Sequence, residues 1–459
     1  MQFAGQRTDM DLNPVGEPVN VLIKLTPDVL PDPDAVLLTG ITPQSTLQDG
    51  LTEAEFLRYF YDEVVKPDTT FLGYNSVRFD DEFMRFLHYR NFYDAYEWQW
   101  ANGCSRWDVL DLVRMTRAVR PSDIKWPTTP DGKATNRLEL LTKLNGLDHE
   151  HAHDALNDVL ATIAIAKLIR EKQPDLFSYL LEMRSKKKAA ELVLKGAPFV
   201  YSSGHYPSQT LCTTAVVLLG KHTERDEALV YDLRHDPTPF FNMTVPELIE
   251  AWRFTKDPDA LRLPVKTLKY NRCPAIAPLG VIKDEATQQR LDLSLDTISK
   301  NFTTLKQHLL PFAEKVAQAV AQLDKEREQA AKAKGKSDVD GQLYDGFFGP
   351  GDKTGMRLAR SAEPSELSSL ENKLQDERLK GLLPRYKARN FPNALTPEER
   401  ESWDAFIAQK LFSGDTTSRL AQYFGRLQDL AKTTLTSEQQ YLLEELQLYG
   451  QSIMPSETA

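Results

Sequence analysis

The chain has 459 residues, too many for one hydrophobic core, and about two or three domains are expected. Hydrophobic residues at 41% and charged residues at 27% are an ordinary globular balance; no apolar run is long enough to cross a bilayer, and "MQFAGQRTDMDL" lacks a basic-then-apolar leader. A net charge of −10 argues against binding nucleic acid through bulk charge, so local basic clusters matter instead. Cys104, Cys212 and Cys273 lie far apart and in no metal spacing, as expected of a reduced cytoplasmic protein.

Residues 1–171 read as α/β. "VNVLIKL" (19–25) and "TFLGYN" (70–75) are short, apolar and bounded by turn residues, which predicts strands. "DDEFMRFLHYR" (80–90) places Phe83, Phe86 and Leu87 on one helical face, and "RLELLTKLNG" (137–146) is a second helix with Gly146 near its end. A third helix follows "HEHAHD", with Asp154 as N-cap or first-turn acid. Its expected buried face is Ala155, Leu156, Val159, Leu160 and Ile163, and it stops before Pro174. From 174 a helix leads into β-like runs at 198–203, 213–220, 228–233 and 263–270, a small β-rich domain ending near 280. Helical pattern resumes at 292–323. The tract "DKEREQAAKAKGKSDVDG" (324–341) reads as a solvated helix end plus linker, and the remainder is helical. There is no internal repeat.

Two segments carry chemistry. His153 and Asp158 stand five apart where a loop runs into a helix. A carboxylate on a packed helix suits Mg²⁺ or Mn²⁺, and a histidine on the adjoining loop can accept a proton from water. Taken alone, the pair is more often a capped surface helix facing solvent. In "FLGYNSVRFDDEF" (71–83), Asp80 falls where a strand end turns into a helix, the position at which open α/β sheets bind ligands. Asp80 and Asp81 also complement the helix dipole, and Phe79 is expected in the core.

Together the segments resemble the histidine-bearing branch of the DEDD superfamily of 3′→5′ exonucleases. "NSVRFD" is similar to the second motif, with Asp80 as its acid. "HDALND" is similar to the third, with His153 as general base and Asp158 as metal ligand. "SRWDVLDLVR", "QLYDGFF" and "YKARNFP" extend the resemblance, specifically to bacterial exonuclease I, over essentially the whole chain. The resemblance implies a ribonuclease H-like α/β exonuclease domain (1–172), an SH3-like β domain with flanking helices (173–325) and an all-α C-terminal domain (326–459). It further implies degradation of single-stranded DNA to mononucleotides in repair and recombination, by two-metal hydrolysis with Mg²⁺ and with Mn²⁺ as a possible substitute. A monomer is expected.

The family's first motif, Asp-x-Glu on the first strand, is not found. Asp9 and Asp11 in "TDMDL" are the nearest acids, and the family's register puts them in a hairpin turn. The chain is therefore expected to be truncated by one strand and its acids. A start upstream of Met1 is favoured over a damaged gene or a catalytically impaired protein that binds DNA or a partner. As written it should bind metal poorly, and its sheet should be compromised.

Single strands are held by cations tracking phosphates and by aromatic stacking. Arg85, Tyr96, Trp100 and Arg114 match DNA contacts that the resemblance implies, as do Lys186 in "RSKKK" and Lys266 and Asn271 in "VKTLKYNRCP". Arg137 matches a position that holds substrate phosphate near the scissile bond, where a guanidinium can bind in bidentate fashion. Phe92 and Trp98 are expected in the core, and "RSKKK" reads equally well as a solvated helix face. The family also binds the acidic C-terminal tail of single-stranded DNA-binding protein.

Overall fold

The computed structural model describes residues 1–147, 154–253, 256–257, 260–333, 335 and 338–454. His153 lies outside them.

In the first part, β1 (Gln2–Gly5) and β2 (Val19–Leu22) pair antiparallel, while β3 (Thr70–Gly73) and β4 (Ser105–Asp108) pair parallel. Asp9 Oδ1 accepts the N–H groups of Asp11 (2.9 Å) and Asn13 (2.8 Å), so Asp9 builds the β1–β2 turn as expected. Between β2 and β3 lie α1 (Pro33–Thr39), α2 (Pro43–Asp49) and α3 (Glu53–Tyr59); α4 (Asp80–Arg90) links β3 to β4. Then follow α5 (Val109–Val119), α6 (Leu138–Leu144) and α7 (Ala155–Lys172). An aromatic core ties both strand pairs to these helices. Phe3 meets Phe56 at 5.1 Å between ring centroids, and Phe71 meets Trp98 at 5.0 Å. Phe92 and Trp98 are buried, as expected.

The two pairs do not join into one sheet. Residues of β1 and of β3 line one cleft between them. Among the described residues, β1 and β3 each have one strand partner. The cleft also corrects the reading of α7. Its buried stripe is Ala161, Thr162, Ile165, Ala166 and Ile169, further along than expected, whereas Ala155, Val159 and Ile163 line the cleft. The helix packs on α6, β1, α5 and α8 (Pro174–Met183), and its first turns also border the cleft.

The β-rich part follows α8 and α9 (Lys186–Val193). It is an antiparallel sheet in the order β8-β7-β6-β5-β9, made of β5 (Phe199–Ser202), β6 (Thr213–Lys221), β7 (Glu227–Asp232), β8 (Val265–Lys269) and β9 (Ala275–Pro278). Four of these strands were expected; β9 is short and flanked by prolines, so it carries little periodic signal. Val217, Leu229 and Tyr231 belong to one core and their neighbours Val216, Ala228 and Val230 to another. Both faces of the sheet are covered, which explains the unbroken apolar run "AVVLL". Helix α10 (Val245–Trp252) lies between β7 and β8.

After α11 (Glu285–Leu291) and α12 (Leu295–Gln307), α13 (Leu309–Ala333) runs well into the tract expected to hold a linker, helped by an i,i+4 pair, Glu328–Lys332 at 2.7 Å. The C-terminal part comprises α14 (Pro350–Ser361), α15 (Glu377–Asn390), α16 (Pro397–Phe412), α17 (Arg419–Ala431) and α18 (Ser437–Ser452). It docks on the first part through a shared apolar cluster that includes Tyr89, Phe92, Leu382 and Tyr386. A buried ion network reinforces the joint. Asp28, fully buried, takes Arg389 at 2.7 Å and Lys410 at 2.5 Å, and Arg389 reaches Asp340 at 2.6 Å.

Candidate active site

The turn after β3 is built to present Asp80. A side chain on Gly73 would fall 2.5 Å from Ser76 Cβ, so the chain can fold this tightly only on a glycine. Asn75 takes a left-handed φ of 61°, which asparagine tolerates. Asp108, at the end of β4, then fastens the turn by accepting the N–H groups of Asn75 (2.9 Å), Val77 (3.2 Å) and Leu110 (3.0 Å). Asp80 opens α4 directly beyond.

Asp158 arrives from the other wall. Asp154 caps α7 by accepting the Leu156 N–H at 3.1 Å, and Gln2 of β1 donates to the same Asp154 oxygen at 2.8 Å. Asp158 thus sits in the first turn of α7. Asp80 and Asp158 line one cleft of about 2080 Å³. Although Asp80 is reached by solvent, crowding by the cleft walls raises its pKa. Its backbone hydrogen bond opposes the rise, and the negative charge of Asp158 adds to it.

This electrostatic strain is what a divalent cation relieves. Two carboxylates facing each other across a cleft suit oxygen-preferring Mg²⁺ or Mn²⁺, and Asp80 and Asp158 fit as two of its donors. No group of three or more histidine, cysteine or acidic residues of metal-holding geometry occurs among the described residues.

Arg137 and Arg114 also line the cleft. Arg137 is exposed at the start of α6. The loop before it is pinned by Arg117, which donates to the Thr135 carbonyl (2.6 Å) and the Pro127 carbonyl (2.9 Å). Arg114 is half-buried against Asp111 at 2.5 Å. The other cations and rings lie elsewhere. Arg85 is buried, bound to Glu82 (2.6 Å) and Asp81 (3.5 Å), and covers the Tyr96 ring at 5.5 Å. Trp100 is exposed. Lys186 pairs with Asp226 at 2.5 Å, and Lys266 is exposed on β8. Asn271 uses its carbonyl to accept Arg106 at 2.6 Å.

Phe79 is a correction. It was expected in the core but is 58% exposed, and its edge-to-face partner Phe83, at 5.0 Å, is 52% exposed. Phe79 precedes α4 with non-helical φ/ψ, and both rings line the cleft beside Asp80. The four-residue spacing of the two rings around an acid was the available signal.

The description "Exonuclease" matches residues 1–166, "Exonuclease I SH3-like domain" 184–322 and "Exonuclease I C-terminal domain" 337–453. Exodeoxyribonuclease I of Haemophilus influenzae is 38% identical over 458 residues, covering 98% of this chain and 94% of the relative. The chain belongs to the exonuclease I family.

Its fold agrees with the family's solved structures. Escherichia coli exonuclease I in complex with a dA16 oligonucleotide superposes with a TM-score of 0.90 at 37% identity, covering 99% of this chain and 95% of that one. A structure described as an ExoI/SSB-Ct complex superposes with a TM-score of 0.88 at 37% identity and the same coverage. Within the family's three-part architecture, the cleft holding Asp80 and Asp158 falls in the exonuclease segment.

Proposed function

We propose that the protein removes nucleotides from the 3′ end of single-stranded DNA by divalent-metal-dependent phosphodiester hydrolysis. The observation that carries this is the meeting of Asp80 and Asp158 in one cleft with Arg137 and the exposed Phe79–Phe83 pair. Asp80 and Asp158 hold the metal, with Mg²⁺ the first choice. Two such ions, when bound, supply a water-derived nucleophile at neutral pH and offset transition-state charge. His153 takes the proton from the attacking water, a role that rests on the resemblance of "HDALND" to the third motif. Arg137 grips the terminal phosphate, and Phe79 with Phe83 stacks the last bases.

Family membership favours the enzyme over a catalytically impaired binder. The oligonucleotide and SSB-Ct complexes of relatives support single-stranded DNA and the tail of single-stranded DNA-binding protein as partners. A cytoplasmic, monomeric repair and recombination enzyme with domains near 1–172, 173–325 and 326–459 completes the reading. No helix among the described residues is long and apolar enough to cross a membrane.

The test is a single-stranded oligonucleotide labelled at either end, incubated with Mg²⁺ or EDTA. Labelled mononucleotide should leave at once from the 3′-labelled strand and only with metal. Release first from the 5′ label, or equal release in EDTA, contradicts the proposal.

Stacking makes a separate prediction. Phe83→Ala should weaken single-strand binding by roughly 1–3 kcal/mol, the worth of one stacked base, with melting temperature unchanged because the ring is exposed. Anisotropy titration in EDTA measures it; unchanged affinity removes Phe83 from the DNA path.

A further inference from the structure

The first turn of α4 carries Asp80, yet the helix begins without a side-chain cap, because Phe79 before it offers none. Strand β4 fastens this region instead. Asp108 takes the N–H groups of Asn75 and Val77 in the turn that leads to Asp80. Arg106 stands two residues earlier on the same strand and so on the same face. Its guanidinium forms an ion pair with the buried Asp81, the second residue of α4. Asp80, Asp81 and Arg106 all line the cleft.

Arg106 is itself held from behind. Its other terminal nitrogen donates to the Asn271 carbonyl at 2.6 Å, and its own carbonyl accepts the Cys273 thiol at 3.2 Å. Both partners lie between β8 and β9. The guanidinium thus reaches from the β-rich segment to the start of α4, a two-ended contact that its planar fork permits. Arg85 also approaches Asp81, at 3.5 Å, but it belongs to the same helix and cannot tie that helix to the strand. A carboxylate that ligates a metal must be held in place, and the groups that hold it are worth roughly 10–100-fold in metal affinity or activity.

We infer that Arg106 is a positioning residue for the metal site: through Asp81 it fixes the first turn of α4, and with it the direction in which Asp80 presents its carboxylate. The inference rests on the reading of Asp80 as a metal ligand. Charge and anchoring predict opposite signs here. Arg106 is a cation beside a cation site, so loss of its charge alone would tighten metal binding, whereas loss of its anchoring loosens it.

Mn²⁺ alone, titrated into the full chain and followed by electron paramagnetic resonance, tests this without turnover. Arg106→Gln should bind Mn²⁺ ~10-fold more weakly than the wild type. Arg106→Lys, which keeps the ion pair with Asp81, should recover most of that loss. The double variant Arg106→Gln, Asp81→Asn removes one charge of each sign, so it leaves no unbalanced buried charge and the same net charge at the site. It should melt near the wild-type temperature and still bind Mn²⁺ ~10-fold more weakly. At a fixed, subsaturating Mg²⁺ concentration, its release of 3′ nucleotides should slow by a similar factor in kcat, with KM for the oligonucleotide unchanged. Wild-type or tighter Mn²⁺ binding in the double variant, or no recovery in Arg106→Lys, overturns the positioning role while leaving the metal site standing. If Asp80→Asn binds Mn²⁺ as well as the wild type, Asp80 is not a ligand, and the metal-site reading falls together with the role of Arg106.

Discussion

Replacing Asp158 with alanine is expected to lower metal-dependent release of 3′ nucleotides at least ~100-fold, since even a partner behind the metal ligands is worth roughly 10–100-fold. The fold should not suffer. Asp158 is exposed in the first turn of α7, and the helix keeps its Asp154 cap. Removal of its charge also relieves Asp80, whose pKa should fall toward the ordinary carboxylate value, with the crowding of the cleft walls remaining. Two measurements check this: release from a 3′-labelled strand in Mg²⁺, and the Asp80 carboxyl titration by NMR in the metal-free protein. Persistent cleavage in Asp158→Ala refutes the site assignment. An unmoved Asp80 titration refutes the electrostatic coupling.

The second large effect concerns the joint between the C-terminal and exonuclease segments. Arg389→Met should destabilise the protein by about 3–5 kcal/mol, because it leaves the buried carboxylate of Asp28 and the partly buried one of Asp340 with fewer partners. Replacing Asp28 by leucine in the same protein should recover part of that loss, since no unbalanced charge then remains at that position. Urea unfolding of the single and double variants gives the comparison. A loss below about 1 kcal/mol, as for an exposed pair, would show that the network does not hold the joint.

The same network gives a pH dependence. Burial opposes the charged form of Asp340, but hydrogen bonds and charge from Arg389 outweigh it and hold the carboxyl at about 2. Asp28, also buried, is held well below the usual carboxylate range by Arg389 and Lys410. Folded values lie below the unfolded value of about 4, so the stabilisation is whole above that pH and fades as pH falls toward 2 and below. Wild-type stability should therefore drop steeply below about pH 4, and the drop should be shallower in the Asp28→Leu, Arg389→Met double variant.

Much of this protein was legible in its sequence because the relevant signals are local. The helix from Asp80 to Arg90, four of the five strands of the β-rich sheet, the Asp9 turn and the cap at Asp154 follow from periodicity and turn chemistry, which need only neighbouring residues. The motifs around Asp80 and Asp158 named the family for the same reason. What the tertiary structure alone decided is how distant segments share space. Periodicity cannot tell a helix face that meets a core from one that borders a cleft, so Val159 was assigned to the core and Phe79 was buried on paper. A formal charge says nothing of its partner: Arg85 proves to be locked against Asp81 and Glu82. The burial of Asp28, far in sequence from Arg389 and Lys410, likewise exists only once the domains close on one another. Electrostatics in a folded chain depends on distance and desolvation, and both are set by packing between elements that the sequence keeps apart.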